Sequence, residues 1–227
     1  VGWLQWGAPV VERCWGRVLA DSSGALDGCA QRHDDRVGGD GYGSVGVAAS
    51  LAHGGPGTGG AARALHEQID RPNLMVKIPG AVEGLAAIRR MIAEGRNINV
   101  TLIFCLDRYQ QVMDAYIDGL EEYAGTVDAD LAHVASVASF FISRVDSEVD
   151  ARLDAIGTPE ALALRGKAAI AQAKLAYHAF RHTFSGARWE ALAADGAVVQ
   201  RPLWASTSTK NPAYPDTLYV DELIGPD

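Results

Sequence analysis

The sequence predicts an α/β protein assembled from successive βα units, either a parallel sheet or a barrel, and three observations carry that expectation. From about residue 63 onward, apolar runs that read as strands alternate with stretches of helical periodicity. One of those runs, Leu74-Met75-Val76-Lys77-Ile78-Pro79-Gly80, holds a single lysine and ends in a Pro-Gly turn that feeds the next helix. At 227 residues the chain can bury one large core, and a single α/β domain is expected.

The elements follow in order. Fifteen of the 25 glycines fall before residue 61, and apart from the short run Ser44-Val45-Gly46-Val47 that stretch has no sustained periodicity, so residues 1–62 read as poorly structured. A helical piece around Ala64 to Ile69 precedes the Lys77 strand. The next helix, about 82 to 94, carries Leu85, Ile88 and Ile92 at core spacing and stops at Gly95. Asn99 to Phe104 reads as a second buried strand, and a third helix places Tyr109, Met113, Tyr116, Leu120 and Tyr123 on one face. His133 to Phe141 is strand-like but rich in small residues. A long helix is then expected, opened by the cap-and-proline pattern Thr158-Pro159-Glu160 and continued by Ile170, Ala173, Tyr177, Phe180 and Phe184. A shorter helix from Arg188 to Ala194 leads to the last strand, Pro202 to Ser206.

A net charge of −8, from 20 basic and 28 acidic residues, argues against a nucleic-acid or anionic-membrane surface. Cys14, Cys29 and Cys105 show neither metal spacing nor an even-numbered disulfide framework, which points to a reducing, cytoplasmic compartment. No signal-type segment and no run of eighteen apolar residues is found, so neither secretion nor membrane insertion is expected. The chain begins with Val, as a fragment or processed product would.

Lys77 is the sharpest candidate. An ammonium taken out of water tends to lose its proton, and the neutral amine is a nucleophile toward carbonyls; the plainer reading is a lysine reaching outward from a strand edge. Of the three other lysines, Lys167 and Lys174 read as a solvated helix face, whereas Lys210 lies in the hydroxyl-rich loop Ser206-Thr207-Ser208-Thr209-Lys210, whose donors suit a phosphate as well as an ordinary polar turn. Asn99 and Thr101 share one face of their strand, because side chains alternate with period two. Ser139 and Arg144 bracket the end of the next strand, where an arginine is a natural phosphate clamp. Together these put an amine, an amide, hydroxyls and cations at strand ends, which suits a phosphorylated carbonyl substrate. Gly55 to Gly60 matches a dinucleotide fingerprint but lacks its preceding strand and its acidic partner, and His53-Gly54-Gly55 has no Gly-x-Ser-x-Gly elbow to serve. The six histidines show no metal-ligand spacing.

Arg71-Pro72-Asn73 through Lys77-Ile78-Pro79-Gly80 and Glu83-Gly84 resembles the Schiff-base strand of transaldolases of the actinobacterial and cyanobacterial type. The resemblance continues through Asn97 to Phe104, Val134 to Asp146, Leu164 to Ala171 and Leu203 to Leu223, covering about residues 63–227. It implies a (β/α)8 barrel of the class I aldolase kind, here incomplete at both ends, and no metal or organic cofactor. The implied reaction transfers a dihydroxyacetone unit from sedoheptulose 7-phosphate or fructose 6-phosphate to an aldose phosphate, in the pentose phosphate pathway. Fructose-6-phosphate aldolase chemistry and a non-catalytic sugar-phosphate binder are the alternatives. By motif, Lys77 is implied as the imine-forming lysine, Thr101 as the residue that helps position the catalytic water, and Asn99, Ser139, Arg144, Ser206 and Lys210 as substrate or phosphate contacts.

The pattern also breaks. An aspartate expected on the first barrel strand has no convincing counterpart near the start of the chain, and the water-activating glutamate falls on Gly46. General acid-base groups contribute about 10²- to 10⁴-fold each, so both substitutions bear on turnover. Ala81 and Cys105 stand where hydroxyl residues are expected at helix starts. The glycine and arginine bias of residues 1–60 suggests a frame-shifted reading of a GC-rich gene, which sequencing of the source DNA would decide.

Overall fold

Five short strands, β1 (Gly43–Gly46), β2 (Leu74–Pro79), β3 (Ile98–Ile103), β4 (Ser136–Phe141) and β5 (Arg201–Ala205), pair in chain order as one wholly parallel sheet. The computed structural model describes residue 24 and residues 26–27, 41–46 and 55–225. Cys14, Cys29, His53 and Val47 lie outside the described residues, as does the greater part of residues 1–62.

Eight helices join or follow these strands among the described residues: α1 (Gly55–Ile69), α2 (Val82–Ala93), α3 (Leu106–Ala124), α4 (Ser143–Ile156), α5 (Pro159–Leu162), α6 (Ala168–Thr183), α7 (Ala187–Ala194) and α8 (Leu218–Leu223). Right-handed crossovers that always step to the next strand on the same side place their helices on one face of the sheet, which is the winding of a barrel rather than of a doubly wound sheet. The core follows that rule. Leu74, Val76 and Ile78 of β2, Ile98 and Val100 of β3 and Ala138 and Phe140 of β4 pack with Leu65, Ile88, Met91, Tyr109, Met113, Tyr116 and Leu120 of the helices. The alternate residues, including Lys77, Asn99 and Ser139, therefore face the other side, the inner side of the barrel curve.

Local signals explain most boundaries. Gly95 ends α2 in the left-handed region, φ +71°, where its N–H and that of Arg96 close back onto Ile92 and Met91. Ala81 and Cys105 occupy the N-cap positions of α2 and α3 and make no side-chain cap, as the sequence led us to expect. The expected face of α3 holds: Tyr109, Met113, Tyr116 and Leu120 are all buried.

Three expectations change. The single long helix expected from Thr158 is instead α5 and α6, and α4 precedes it as a helix that the sequence analysis did not identify. Thr158 does cap a helix, accepting from the Ala161 N–H, but that helix lasts one turn, and Gly166 at φ +69° turns the chain before α6. A break there lets the Gly166 N–H reach a side chain of α4, a long-range bond that no local periodicity records. The glycine-rich stretch Gly55–Gly60 is the start of α1 rather than a loop. In β3 the pairing with β4 shifts between Val100 and Ile103, and Leu102 sits at φ +61°, so strict alternation ends after Thr101 and Leu102 is exposed.

Two stability predictions arise here. A Cβ at Gly84 would run into the Pro79 carbonyl oxygen, which is backbone and cannot swing away, so α2 lies this close to the end of β2 only because position 84 is glycine. Gly84→Ala is expected to cost about 3 kcal/mol and lower the melting temperature by roughly 6–12 °C, read by calorimetry. The second concerns His66 of α1, whose burial, reinforced by the Arg96 charge and opposed by a backbone hydrogen bond at Asn97 and by Glu94, brings its pKa down to about 4. Its folded value lies below the unfolded 6.5, so the unfolded chain binds the extra proton first, and stability is lost as pH falls from 6.5 to 4. Urea midpoints across that window should lose on the order of 2–3 kcal/mol of stability, and His66→Gln should flatten the slope.

Candidate active site

The strand register lines up Gly46, Lys77, Asn99, Val137 and Arg201 across the five strands. Lys77 is exposed although Leu74, Met75, Val76 and Ile78 around it are buried; it shares the inner face with Met75, while Leu74, Val76 and Ile78 pack into the core on the other side. Of the two readings of this lysine, the exposure favours the plainer one, a side chain reaching outward from its strand, over an amine withdrawn from water.

Beside it, Asn99 is buried and held at both ends of its amide. Its Nδ2 donates to Ser44 Oγ at 3.0 Å and its Oδ1 accepts from Ser139 Oγ at 2.8 Å. A polar chain thus runs from β1 to β4 along the inner face, and it fixes the amide's orientation next to the lysine. Thr101 lies two residues further toward the carboxyl end of β3, and its carbonyl accepts from the Gly80 N–H at 2.7 Å, which ties the ends of β2 and β3 together. None of the five strands carries an Asp or Glu, so no carboxylate stands beside Lys77 on these strands. A Cβ added at Gly46 meets nothing within 4 Å.

At the carboxyl ends of β4 and β5, Ser206 adopts φ +58°, an uncommon conformation for a non-glycine residue. Two contacts hold it there: its carbonyl accepts from the Ser143 N–H at 3.0 Å, and the two hydroxyls lie 2.9 Å apart. Arg144, the next residue, stacks its guanidinium 5.2 Å above the Phe141 ring, which in turn packs against Phe104 at 5.0 Å between centroids. Lys210 is placed differently from the rest. Its ammonium donates to Ser208 Oγ at 2.6 Å, and the side chain lines a cavity of about 330 Å³ shared with Asp146, Asp150 and Asp154 of α4.

The structure therefore brings Lys77, Asn99, Thr101 and Ser139 onto one face of adjacent strands and sets Arg144 and Ser206 side by side at the strand ends, with Lys210 on a loop behind them. Ser44, Ser143 and Phe141 were not singled out from the sequence. The period-two spacing of Ser44 and Gly46 could have flagged the first; the Ser143 partnership spans 63 residues and leaves no local trace. Lys167 and Lys174 are exposed, the latter paired with Glu222, as a solvated helix face requires. Among the described residues no group of three His, Cys, Asp or Glu side chains is placed to hold a metal ion. A larger cavity, about 500 Å³, opens between α6, β5 and α8 and is lined by none of the candidate residues.

A family model described as transaldolase/fructose-6-phosphate aldolase matches residues 18–227. The match thus begins well before residue 63 and includes β1 and all of α1. Among curated proteins, the chain is 55% identical over 220 residues to a transaldolase of Parafrankia sp., covering 97% of this chain and 59% of that protein. It is 61% identical over 165 residues to a transaldolase of Thermobifida fusca, covering 73% of this chain and 45% of the relative. Against a transaldolase of Mycolicibacterium smegmatis the identity is 53% over 206 residues, 91% of this chain and 55% of the relative. The chain spans less than two thirds of the length of these relatives.

Proposed function

The chain belongs to the transaldolase/fructose-6-phosphate aldolase family, and from that premise we propose that it moves a dihydroxyacetone unit between sugar phosphates through an imine on Lys77, as a cytoplasmic enzyme of the pentose phosphate pathway. The observation that carries this reading is the exposed amine of Lys77 on the inner face of a parallel sheet, in register with the hydrogen-bonded Asn99.

The neutral amine adds to the C2 carbonyl of the ketose phosphate, and loss of water gives the imine. Protonated, the imine accepts the electron pair of the C3–C4 bond as the C4 hydroxyl loses its proton and the aldose phosphate departs. The three-carbon enamine then attacks an acceptor aldehyde, and hydrolysis frees Lys77. In this scheme Asn99 and Ser139 hold substrate hydroxyls, Thr101 helps position the water, and Arg144, Ser206 and Lys210 take the phosphate. These placements suit the strand ends, where barrels build their sites. No helix among the described residues is long and apolar enough to cross a membrane.

Borohydride reduction in the presence of fructose 6-phosphate, followed by peptide mass spectrometry, tests the reading: a reduced three-carbon adduct on the Lys77 peptide is expected. Folded protein without that adduct would leave the sugar-phosphate binder, which the glycine at position 46 and the absence of strand carboxylates favour. Release of free dihydroxyacetone when no acceptor is present would instead indicate the aldolase reaction.

A further inference from the structure

Asp146, Asp150 and Asp154 recur every fourth residue along α4 and form a stripe of which only the last member, Asp154, faces water as a charged surface run would. Asp146 and Asp150 are buried. A buried carboxylate must have its oxygens hydrogen-bonded, and each of these is bonded in the same way. Asp146 accepts from the Ala169 N–H and the Tyr219 hydroxyl, both at 2.8 Å. Asp150 accepts from the Gly166 N–H at 2.9 Å and the Tyr214 hydroxyl at 2.6 Å. Asp154 pairs with Arg165 at 2.8 Å. The stripe thus clamps the turn before α6 on one side and the segment after β5 on the other.

That second segment, residues 206–217, has no helix or strand of its own and carries Ser206 and Lys210. It is tied at its start by Ser143 to Ser206, further along by Tyr214 and just past its end by Tyr219 of α8, so Lys210 is held between anchors that belong to α4. Position 166 completes the arrangement: the Tyr214 ring lies so close that a Cβ there would come within 3.0 Å of its Cζ. Burial, together with the Asp150 hydrogen bond, pushes the Tyr214 hydroxyl up to about 12, so it stays a proton donor to the carboxylate at neutral pH.

We propose that Asp150 and Asp146 are positioning residues for phosphate recognition: acting through Tyr214 and Tyr219, they hold the Ser206–Lys210 loop against the first turns of α4, next to Arg144. This rests on the reading that Arg144, Ser206 and Lys210 bind the phosphate of the substrate. Ordered anchors spare the ligand the entropy of fixing the loop, so releasing one anchor weakens only the contact that the loop makes.

The test is calorimetric titration of the full chain with fructose 6-phosphate and with fructose. Tyr214→Phe removes one hydroxyl and is expected to weaken fructose 6-phosphate about tenfold, the worth of one charge-assisted anchor, while leaving fructose unchanged. In a Lys210→Ala background the same substitution should have no further effect, because the anchor then has no cation to position. Asp150→Asn should reproduce the pattern and stands in if the tyrosine variant does not melt cooperatively. An equal loss for both sugars, or a loss that simply adds to that of Lys210→Ala, overturns the positioning role. If the unaltered chain does not distinguish the two sugars, the phosphate reading fails and this proposal with it; if it does and Tyr214→Phe leaves the difference intact, the positioning role alone fails.

Discussion

Gly46→Glu is expected to raise transfer from fructose 6-phosphate to an aldose phosphate acceptor by about 10²- to 10⁴-fold, the range that a positioned acid-base group supplies. Three features of the structure make this substitution informative. Gly46 is in register with Lys77 on the adjacent strand, so a side chain there projects beside the amine. The position is exposed and its added Cβ meets nothing within 4 Å, so a longer side chain enters without displacing the core. Its φ is outside the left-handed region, which leaves the backbone compatible with a side chain. Since none of β1 to β5 carries a carboxylate, the new group has no competitor on these strands for the role of proton acceptor. Gly46→Gln supplies the same bulk without the charge and should bring no gain. A cooperatively melting Glu variant with unchanged turnover would show that the missing glutamate is not what limits this chain.

Replacing the amine itself should have the largest effect. Lys77→Met keeps the length of the side chain and removes the nucleophile, and the borohydride adduct with fructose 6-phosphate should vanish from the chain. Because Lys77 is exposed and makes no hydrogen bond or ion pair among those described, stability should move by no more than about 0.5 kcal/mol, so loss of the adduct cannot be traced to unfolding. Lys174→Met, on the outer face of α6 and paired with Glu222, should retain the adduct in full. Persistence of a three-carbon adduct in the Lys77→Met protein would move the chemistry to another amine and end the proposed mechanism.

The pH response of the fold is a separate matter from that of the site. Acid loss through His66 arises at the amino-terminal end of β2 and β3, where the ring lies beside Arg96 and Asn97, whereas Lys77 and Thr101 stand toward the other end of the same strands. The urea experiment on His66→Gln and the trapping experiment on Lys77 therefore read different parts of the molecule.

How much of this was legible beforehand depends on the range of the interaction. The strand around Lys77, the core face of α3, the stop at Gly95 and the shared face of Asn99 and Thr101 could all be read from residue spacing, since the helical and strand periods register directly which side chains point together. The family too was legible, because its motifs are contiguous stretches of chain. Spacing has no access to what approaches a face from elsewhere. It left open whether Lys77 is desolvated, where tertiary structure leaves the side chain exposed; it ran one helix through Gly166, where a bond to Asp150 of α4 ends the run; and it put Lys210 with the phosphate ligands without the Asp146, Asp150 and Tyr214 frame that holds its loop. Local sequence alone determined the βα rhythm, the strand that carries Lys77 and the family, because each is written in neighbouring residues. Tertiary structure decided exposure, helix breaks and loop placement, because those depend on hydrogen bonds and packing between residues far apart in the chain.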